Sequence, residues 1–385
     1  MTVPRVAVPA RGLLPAALYV VTALALAWIA GGQMLLGRVD AALAIPLLMP
    51  GALWLAWRVR DERPMVRFRA IAAALFGLMA VQLALHYLVG HSFGFLQLLA
   101  TLILGSLSCA VAELVVRATR SWRGLLRWPV LLAVSALWFV AGQMVTAIGY
   151  VAPNKMLSPR LAILTGLPLR WQGDDLAAML ASGPSDAPAL AELRKRFAFD
   201  LVDSVADLPD DALLLVAHPR ALAPEELVRL DALTAQPRTI VILADALSGW
   251  TPPFALGDPR NPPVTSLLTP LLDHWGITLD APAPDGAGDV DVFVGLSGQK
   301  LRLHSAGRFI RLPAGCATWG DRRVARCPIG KADVWLVGDA DLLHESLWAS
   351  PIPDAPWLAR SDNMKWLAAV LTRPSRAYFE PIWIR

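Results

Sequence analysis

The chain has 385 residues, 56% of them hydrophobic and 17% charged, and a mean hydropathy of +0.49. Soluble domains carry nearer a quarter charged residues, so composition excludes a wholly water-soluble protein. The net charge of +4 comes largely from arginines in short loops between apolar runs, a topogenic pattern that argues against a nucleic-acid partner.

Residues 1–151 read as a transmembrane helical domain. A spanning helix needs roughly 20 apolar residues, and five segments qualify: about 12–36, 41–57, 70–90, 93–116 and 129–151. The second is shortest and holds Pro46 and Pro50. Prolines are tolerated there when neighbours meet the freed carbonyls. The first is too long for a cleaved leader and is read as a retained helix. Arg58, Arg60, Arg63, Arg67 and Arg69 follow the second span, and Arg117, Arg120, Arg123 and Arg127 follow the fourth. The loops after the first and third are nearly bare of Lys and Arg. Basic loops stay cytoplasmic. The expected location is therefore a bacterial cytoplasmic membrane, with the N-terminus inside and residues 152–385 in the periplasm or outside.

Glu113 is the acid within a span, one turn from Arg117. An intramembrane acid is a functional candidate by default; snorkelling or pairing with Arg117 is the favoured reading here. Trp28-Ile29-Ala30-Gly31-Gly32-Gln33-Met34 is echoed by Trp138-Phe139-Val140-Ala141-Gly142-Gln143-Met144. Small residues and amides suit helix contacts, so Gly32, Gln33, Gly142 and Gln143 are candidates for a shared packing surface. Chance in a biased composition is the competing reading.

Residues 152–385 read as an α/β doubly wound parallel-sheet domain. Strands are expected at 161–168, 199–204, 212–219, 239–246 and 332–340, alternating with helices. TIVILADA, almost wholly apolar, suits a central strand covered on both faces. Pro224, Glu225 and Glu226 sign a helix start. A helix from about 264 to 275 and a last one at 362–371 follow, and 291–327 reads as a β-rich insertion at the sheet edge. Cys316 and Cys327 oppose each other in a hairpin centred on Asp321-Arg322, within bridging distance. A disulfide would suit an oxidising compartment; two reduced, half-buried cysteines are the alternative.

The sequence holds no Walker A motif, no G-x-S-x-G elbow and no H-E-x-x-H, and its six histidines lack metal-ligand spacing. Open α/β sheets bind ligands at the carboxyl ends of their strands. Those ends give the candidate ligand-binding residues Thr165, His218, Asp245, Asp339 and Asp341, joined by Asp258 and Arg260 of a Pro-rich loop. The same residues also suit plain cap and turn roles.

The segments LTGLPL, LRKRFAFDLVDSV, LPDDALLLVAHPRALAPEELVRLDAL, TIVILADA, LLDHWGITLD, VGDADLL and SDNMKWL occur in an order that resembles the extracytoplasmic domain of GldG-like auxiliary proteins of uncharacterised ABC-type transport systems. The likeness covers roughly 160–280 and 330–372. The stretch at 218–231 and Trp275-Gly276-Ile277 are its most specific parts. The chain departs from that pattern at Gln236-Pro237-Arg238, where the family has a Gly-Gly turn, and at Asp245-Ala246, where it has Asp-Pro. Five helices also lack an obvious permease signature. The family domain is similar in fold to class I glutamine amidotransferases, which carry a nucleophilic Cys after a central strand. Ala244-Asp245-Ala246 offers no such nucleophile.

The resemblance implies a non-enzymatic membrane subunit with separate ATPase and permease partners and a protein or glycan ligand. No cofactor or metal is expected. An extracytoplasmic enzyme acting through Asp245, His218 or Asp339 is one alternative. A membrane scaffold or sensor unrelated to transport is another.

Overall fold

The computed structural model describes residues 12–122, 124–151, 159–170, 186–208, 212–252, 254–255, 257–281, 288–295, 298–372 and 377–385. The chain divides into two compact units, one of residues 1–152, 354–358 and 376–385, the other of 153–353 and 359–375. The single boundary expected at 151/152 therefore misses two later segments that pack with the helices. Residues 152–158 themselves lie outside the described residues.

The helical unit contains α1 (Leu13–Ala30), the short α2 (Gln33–Leu36), a 3₁₀ helix (Ala41–Leu47) running into α3 (Leu48–Arg58), α4 (Pro64–Leu85), α5 (Phe95–Ala118) and α6 (Gly124–Tyr150). Among the described residues, five segments are long and apolar enough to cross a membrane: Leu13–Ala30, Ala41–Arg58, Pro64–Gly90, Phe95–Ala118 and Leu126–Tyr150. The expected first span, 12–36, is not one helix. Gly32 takes φ +76, a left-handed conformation that ends α1 and starts α2. The second segment is the most enclosed of the five. Its buried Ala41, Ala42, Ala44, Ala52 and Ala56 are small enough for α1, α5 and α6 to close on it. The carbonyl of Ile45, beside Pro46, accepts from Trp138 Nε1 at 2.9 Å.

The expected shared packing surface resolves into two different roles. Gly142 lies in a continuous helix against the backbone of Pro46, and a Cβ there would stand 2.6 Å from Pro46 Cα. Gln143 meets Thr146 through its backbone carbonyl. Gly32 is a turn residue, and buried Gln33 donates from Nε2 to Asp40 O at 3.0 Å. Glu113 pairs with Arg117 (2.5 Å) and also with Arg67 of α4 (3.2 Å).

Arg38 and Asp40, both fully buried, form an ion pair in the loop between α2 and the 3₁₀ helix. Arg38 Nε donates to Asp40 Oδ2 at 2.6 Å and Nη1 to Trp357 O at 2.6 Å. Its guanidinium faces the rings of Tyr150 and Trp383. Asp40 Oδ1 accepts from Ile382 N at 2.9 Å. The C-terminal segment is held further by Val39 N to Ile382 O, Ile384 N to Gly37 O, Phe379 N to Gly149 O and Gln97 Nε2 to Glu380 O. The ring of Phe379 fills the space a side chain at Gly149 would need.

The second unit is built on a seven-stranded mixed sheet of order β2-β1-β3-β4-β11-β10-β9. Its strands are β1 (Arg160–Thr165), β2 (Ala198–Val202), β3 (Leu213–Ala217), β4 (Thr239–Leu243), β9 (Ala317–Trp319), β10 (Val324–Ile329) and β11 (Ala332–Val337). The first five in that order are parallel; β10 and β9 are antiparallel additions. Strand residues alternate between two cores. Leu161, Ile163, Leu215 and Val241 face α7 (Pro188–Arg194) and α10 (Asn363–Leu371). Ala162, Leu164, Val216 and Ile242 face α8 (Pro224–Ala232) and α9 (Thr269–His274). Double coverage explains why these strands read as continuous apolar runs. Trp275 Nε1 donates to Asp231 Oδ1 at 2.7 Å and ties the end of α9 to α8.

The expected edge insertion divides three ways. β5 (Thr278–Asp280) pairs with β8 (Arg308–Arg311), β6 (Asp289–Val294) pairs with β7 (Gln299–His304), and β9 with β10 joins the main sheet. In the β9–β10 hairpin Ala317 is opposite Arg326, so Cys316 faces Cys327, and the two are bonded. Gly320, Asp321 and Arg322 are all left-handed at the turn.

In denatured, unreduced protein, thiol labelling is expected to find Cys109 alone, with Cys316 and Cys327 joining it after reduction. Three reactive thiols before reduction would contradict the bond. Asp40→Ala leaves the Arg38 charge buried without its carboxylate, and is expected to cost roughly 3–5 kcal/mol. Thermal unfolding of the full chain in detergent measures it, and an unchanged midpoint would contradict the pairing.

Candidate functional site

Three aspartates converge where the central parallel strands β4 and β11 end. Asp245 follows β4, and Asp339 and Asp341 follow β11. Ala244 N donates to Val337 O at 2.8 Å and carries the pairing one step past β4. Asp245 and Asp339 are fully buried and Asp341 nearly so. One oxygen from each lies within 4.8 Å of the others, the described group of acidic, His or Cys residues compact enough to hold a metal ion.

Backbone N–H groups hold the carboxylates. Asp339 Oδ1 accepts from Asp341 N (2.7 Å) and Oδ2 from His304 N (2.8 Å). Asp341 Oδ2 accepts from Gly249 N (2.7 Å), and Asp245 Oδ1 from Leu247 N (3.0 Å). Asp245 Oδ2 and Asp341 Oδ1 are enclosed without a hydrogen-bond partner. The loops after β4, β7 and β11 are thus gathered onto three acids. Close approach needs glycine here: a Cβ on Gly249 would stand 2.7 Å from Asp341 Oδ2. Gly307 N donates to Gly338 O at 2.8 Å, and a Cβ on Gly338 would collide with Gly307 O.

Burial and mutual repulsion oppose ionisation. Burial and then the nearby Asp341 charge raise Asp245 to about 7. Burial, Asp245 and Asp341 push Asp339 well above the usual carboxylate range. Burial raises Asp341 too, against the opposing pull of Gly249 N–H and of His304 and His344. Such a cluster can hold protons, or ionise around a divalent cation coordinated by oxygen.

The other expected ligand residues go elsewhere. The order β2-β1-β3-β4 reverses direction between β1 and β3, where an open sheet forms its crevice. Thr165 Oγ1 accepts from Leu167 N (3.0 Å), a turn role, and Gly166 N donates to His218 O (3.1 Å) across that point. His218 is fully buried with φ +48, and Nε2 lies 2.6 Å from Pro263 O. Burial lowers its pKa, so a neutral ring donating from Nε2 fits this contact. Asp258 and Arg260 pair with each other (2.7 Å) on the surface loop, where Arg260 covers Phe254. The sequence marks Gly338 only as part of the strand end Gly338-Asp339-Ala340-Asp341, and gives His304, Gly249 and Gly307 no place at the site. Their contribution is backbone approach, which leaves glycine as its trace.

No family model matches the chain, and no curated protein does. Solved structures with detectable likeness include an exo-β-1,4-mannosidase from Opitutaceae bacterium strain TAV5. It is 13% identical, with a TM-score of 0.34 over 62% of this chain and 39% of that one. A β-galactosidase from Rahnella sp. R3 is 16% identical, with a TM-score of 0.27 over 55% of this chain and 33% of that one. A catalytic mutant of a GH42 β-galactosidase from G. stearothermophilus is 13% identical, with a TM-score of 0.28 over 56% of this chain and 32% of that one. The likeness spans well under half of each of these enzymes, and scores this low assign neither fold nor activity.

A carboxyl whose folded pKa is raised above 3.8 stabilises the fold below that value and loses the contribution as pH rises through the folded pKa. Stability of the sheet unit is therefore expected to fall between about pH 4 and pH 7, by an amount on the order of 4 kcal/mol for Asp245. Asp245→Asn is expected to flatten this dependence and to be the more stable protein at pH 8. Unfolding of the full chain in detergent across this range checks the sign. Restoration of wild-type stability at pH 8 by Mg²⁺ or Ca²⁺ would identify a cation held by the three acids.

Proposed function

We propose that this chain is a non-enzymatic, multi-pass membrane subunit of an ABC-type transport or envelope system, displaying a binding domain outside the cytoplasm. The observation that carries the membrane reading is the outer surface of the helices. Leu14, Ile29, Phe76, Leu132, Leu137, Met144 and Ile148 are each 59% exposed or more. Apolar surface on this scale is a liability in water and the ordinary lipid-facing side of a bundle. Orientation follows from the arginine-rich loops after α3 and α5, which favour the cytoplasm.

Binding rather than chemistry is supported by Asp245. It stands after a central strand, where an amidotransferase-like fold would carry its nucleophile, and its side chain is enclosed and tied to Leu247 N. The assignment to an ABC-type system, with separate ATPase and permease partners and a protein or glycan ligand, rests on the GldG-like resemblance of residues 160–280 and 330–372. One observation favours an enzyme as the second reading: raised carboxylate pKa values are also the signature of acid–base sites.

A phosphatase active only in the periplasm, fused through a flexible linker after Arg385, is expected to be active. Affinity capture of the full chain from detergent-solubilised membranes is expected to retain an ABC ATPase. An inactive phosphatase with a fluorescent cytoplasmic reporter at the same position reverses the topology. Loss of any ATPase from the captured material removes the transport assignment. Hydrolysis of a glycan or amide substrate, abolished by Asp245→Asn, replaces the binding reading with the enzymatic one.

A further inference from the structure

Between α3, α4 and α5, at the end of the helical unit that carries the arginine-rich loops, lies a cavity of about 260 Å³. Arg60, Arg67, Arg117 and Arg120 line it together with Glu113. Two carboxylates answer four guanidinium groups: Glu113 is shared by Arg67 (3.2 Å) and Arg117 (2.5 Å), and Asp61 by Arg60 (3.1 Å) and Arg120 (2.8 Å). The cluster therefore holds a surplus of two positive charges. Arg67 Nε is enclosed without a hydrogen-bond partner.

We propose that this cavity binds the phosphate of an anionic phospholipid. Guanidinium groups offer paired donors that match phosphate oxygens. The volume suits a phosphodiester and its glycerol rather than a larger ligand. The remaining walls, Ala56, Val59, Ile71 and Val116, are apolar. The two helices also carry open apolar surface: Phe68 and Leu114, which follow Arg67 and Glu113 in the chain, are 69% and 65% exposed. A soluble phosphate would have no use for that surface, whereas acyl chains would lie along it. Arg60 covers the face of Trp57, which is 45% exposed, an arrangement suited to the depth of lipid headgroups. Basic pockets between spans on the cytoplasmic side are a recurrent headgroup site.

The inference rests on the membrane reading above, and the two are separable by experiment. Resistance of the full chain to alkaline carbonate extraction tests the membrane reading by itself. Native mass spectrometry of the detergent-solubilised full chain, titrated with phosphatidylglycerol, phosphatidylcholine or inorganic phosphate, tests the site. One phosphatidylglycerol is expected to be retained in preference to phosphatidylcholine and not to be displaced by inorganic phosphate. Loss of one charge-assisted contact in Arg67→Gln is expected to weaken retention about tenfold. Glu113→Gln frees Arg67 and Arg117 and is expected to strengthen it, whereas general misfolding would weaken both variants. Equal retention of the two lipids, or variants that shift together, would overturn the site. Displacement by inorganic phosphate would make it a soluble-anion site and overturn the lipid assignment.

Discussion

A charge withdrawn from water must be met by partners or neutralised, and this constraint organises both units. In the helical unit it gathers distant segments. Arg38 and Asp40 are wholly enclosed, and their partners come from residues 150, 357, 382 and 383. The pair is not satisfied by the apolar helices around it, so the C-terminal segment is as much a part of that unit as any helix. In the sheet unit the same constraint acts on a cluster of three acids. Among the described residues no arginine or lysine forms an ion pair with Asp245, Asp339 or Asp341, and His304 and His344 offset the charge of Asp341 only in part. Backbone N–H groups from residues 247, 249, 304 and 341 supply part of the compensation, and protons or a cation must supply the rest.

What the sequence revealed follows the range of the interactions involved. Five apolar segments were legible because span length and hydropathy are local properties. So were the five parallel strands, whose double burial leaves unbroken apolar runs. The Cys316–Cys327 register was legible because a hairpin is local too. Gly31-Gly32 was absorbed into the first span, since composition does not register a left-handed turn. In sequence Arg38 and Asp40 read as loop residues, and the last ten residues read as part of the sheet domain. Nothing within either stretch signals a pairing across more than 300 positions. The β-rich stretch 291–327 is legible as strands, but the strand at Thr278–Asp280 and the partition among three sheets depend on long-range pairing.

The candidate site shows the same division. Asp245, Asp339 and Asp341 could be named together because ligand positions in a parallel sheet fall at strand ends. Thr165 and His218 satisfy that rule equally, yet they close a turn and a backbone contact. Side-chain identity alone does not separate an acid that faces a ligand from a residue that finishes a loop. The discriminating feature is charge: His218 also keeps its Nδ1 without a partner, but on a ring that burial favours as neutral, while Asp245 and Asp341 each keep a carboxyl oxygen without one. Arg67 keeps its Nε in the same condition at the far smaller scale of one cavity in the helical unit.

The interleaving of the two units along the chain also fixes an order of events during synthesis. Domains generally form from the N-terminus as the polypeptide emerges, and the helices through Tyr150 are made first. Their loop at 37–40 then waits for Trp357, which follows residues 153–353 of the sheet unit, and for Ile382 and Trp383, which follow the whole of it. Until that point Arg38 and Asp40 have each other and water. Residues 357–383 must therefore be made before the helices can reach their final packing, and a chain truncated before Phe379 would keep the sheet unit's segments whole but leave the Arg38–Asp40 pair short of its partners.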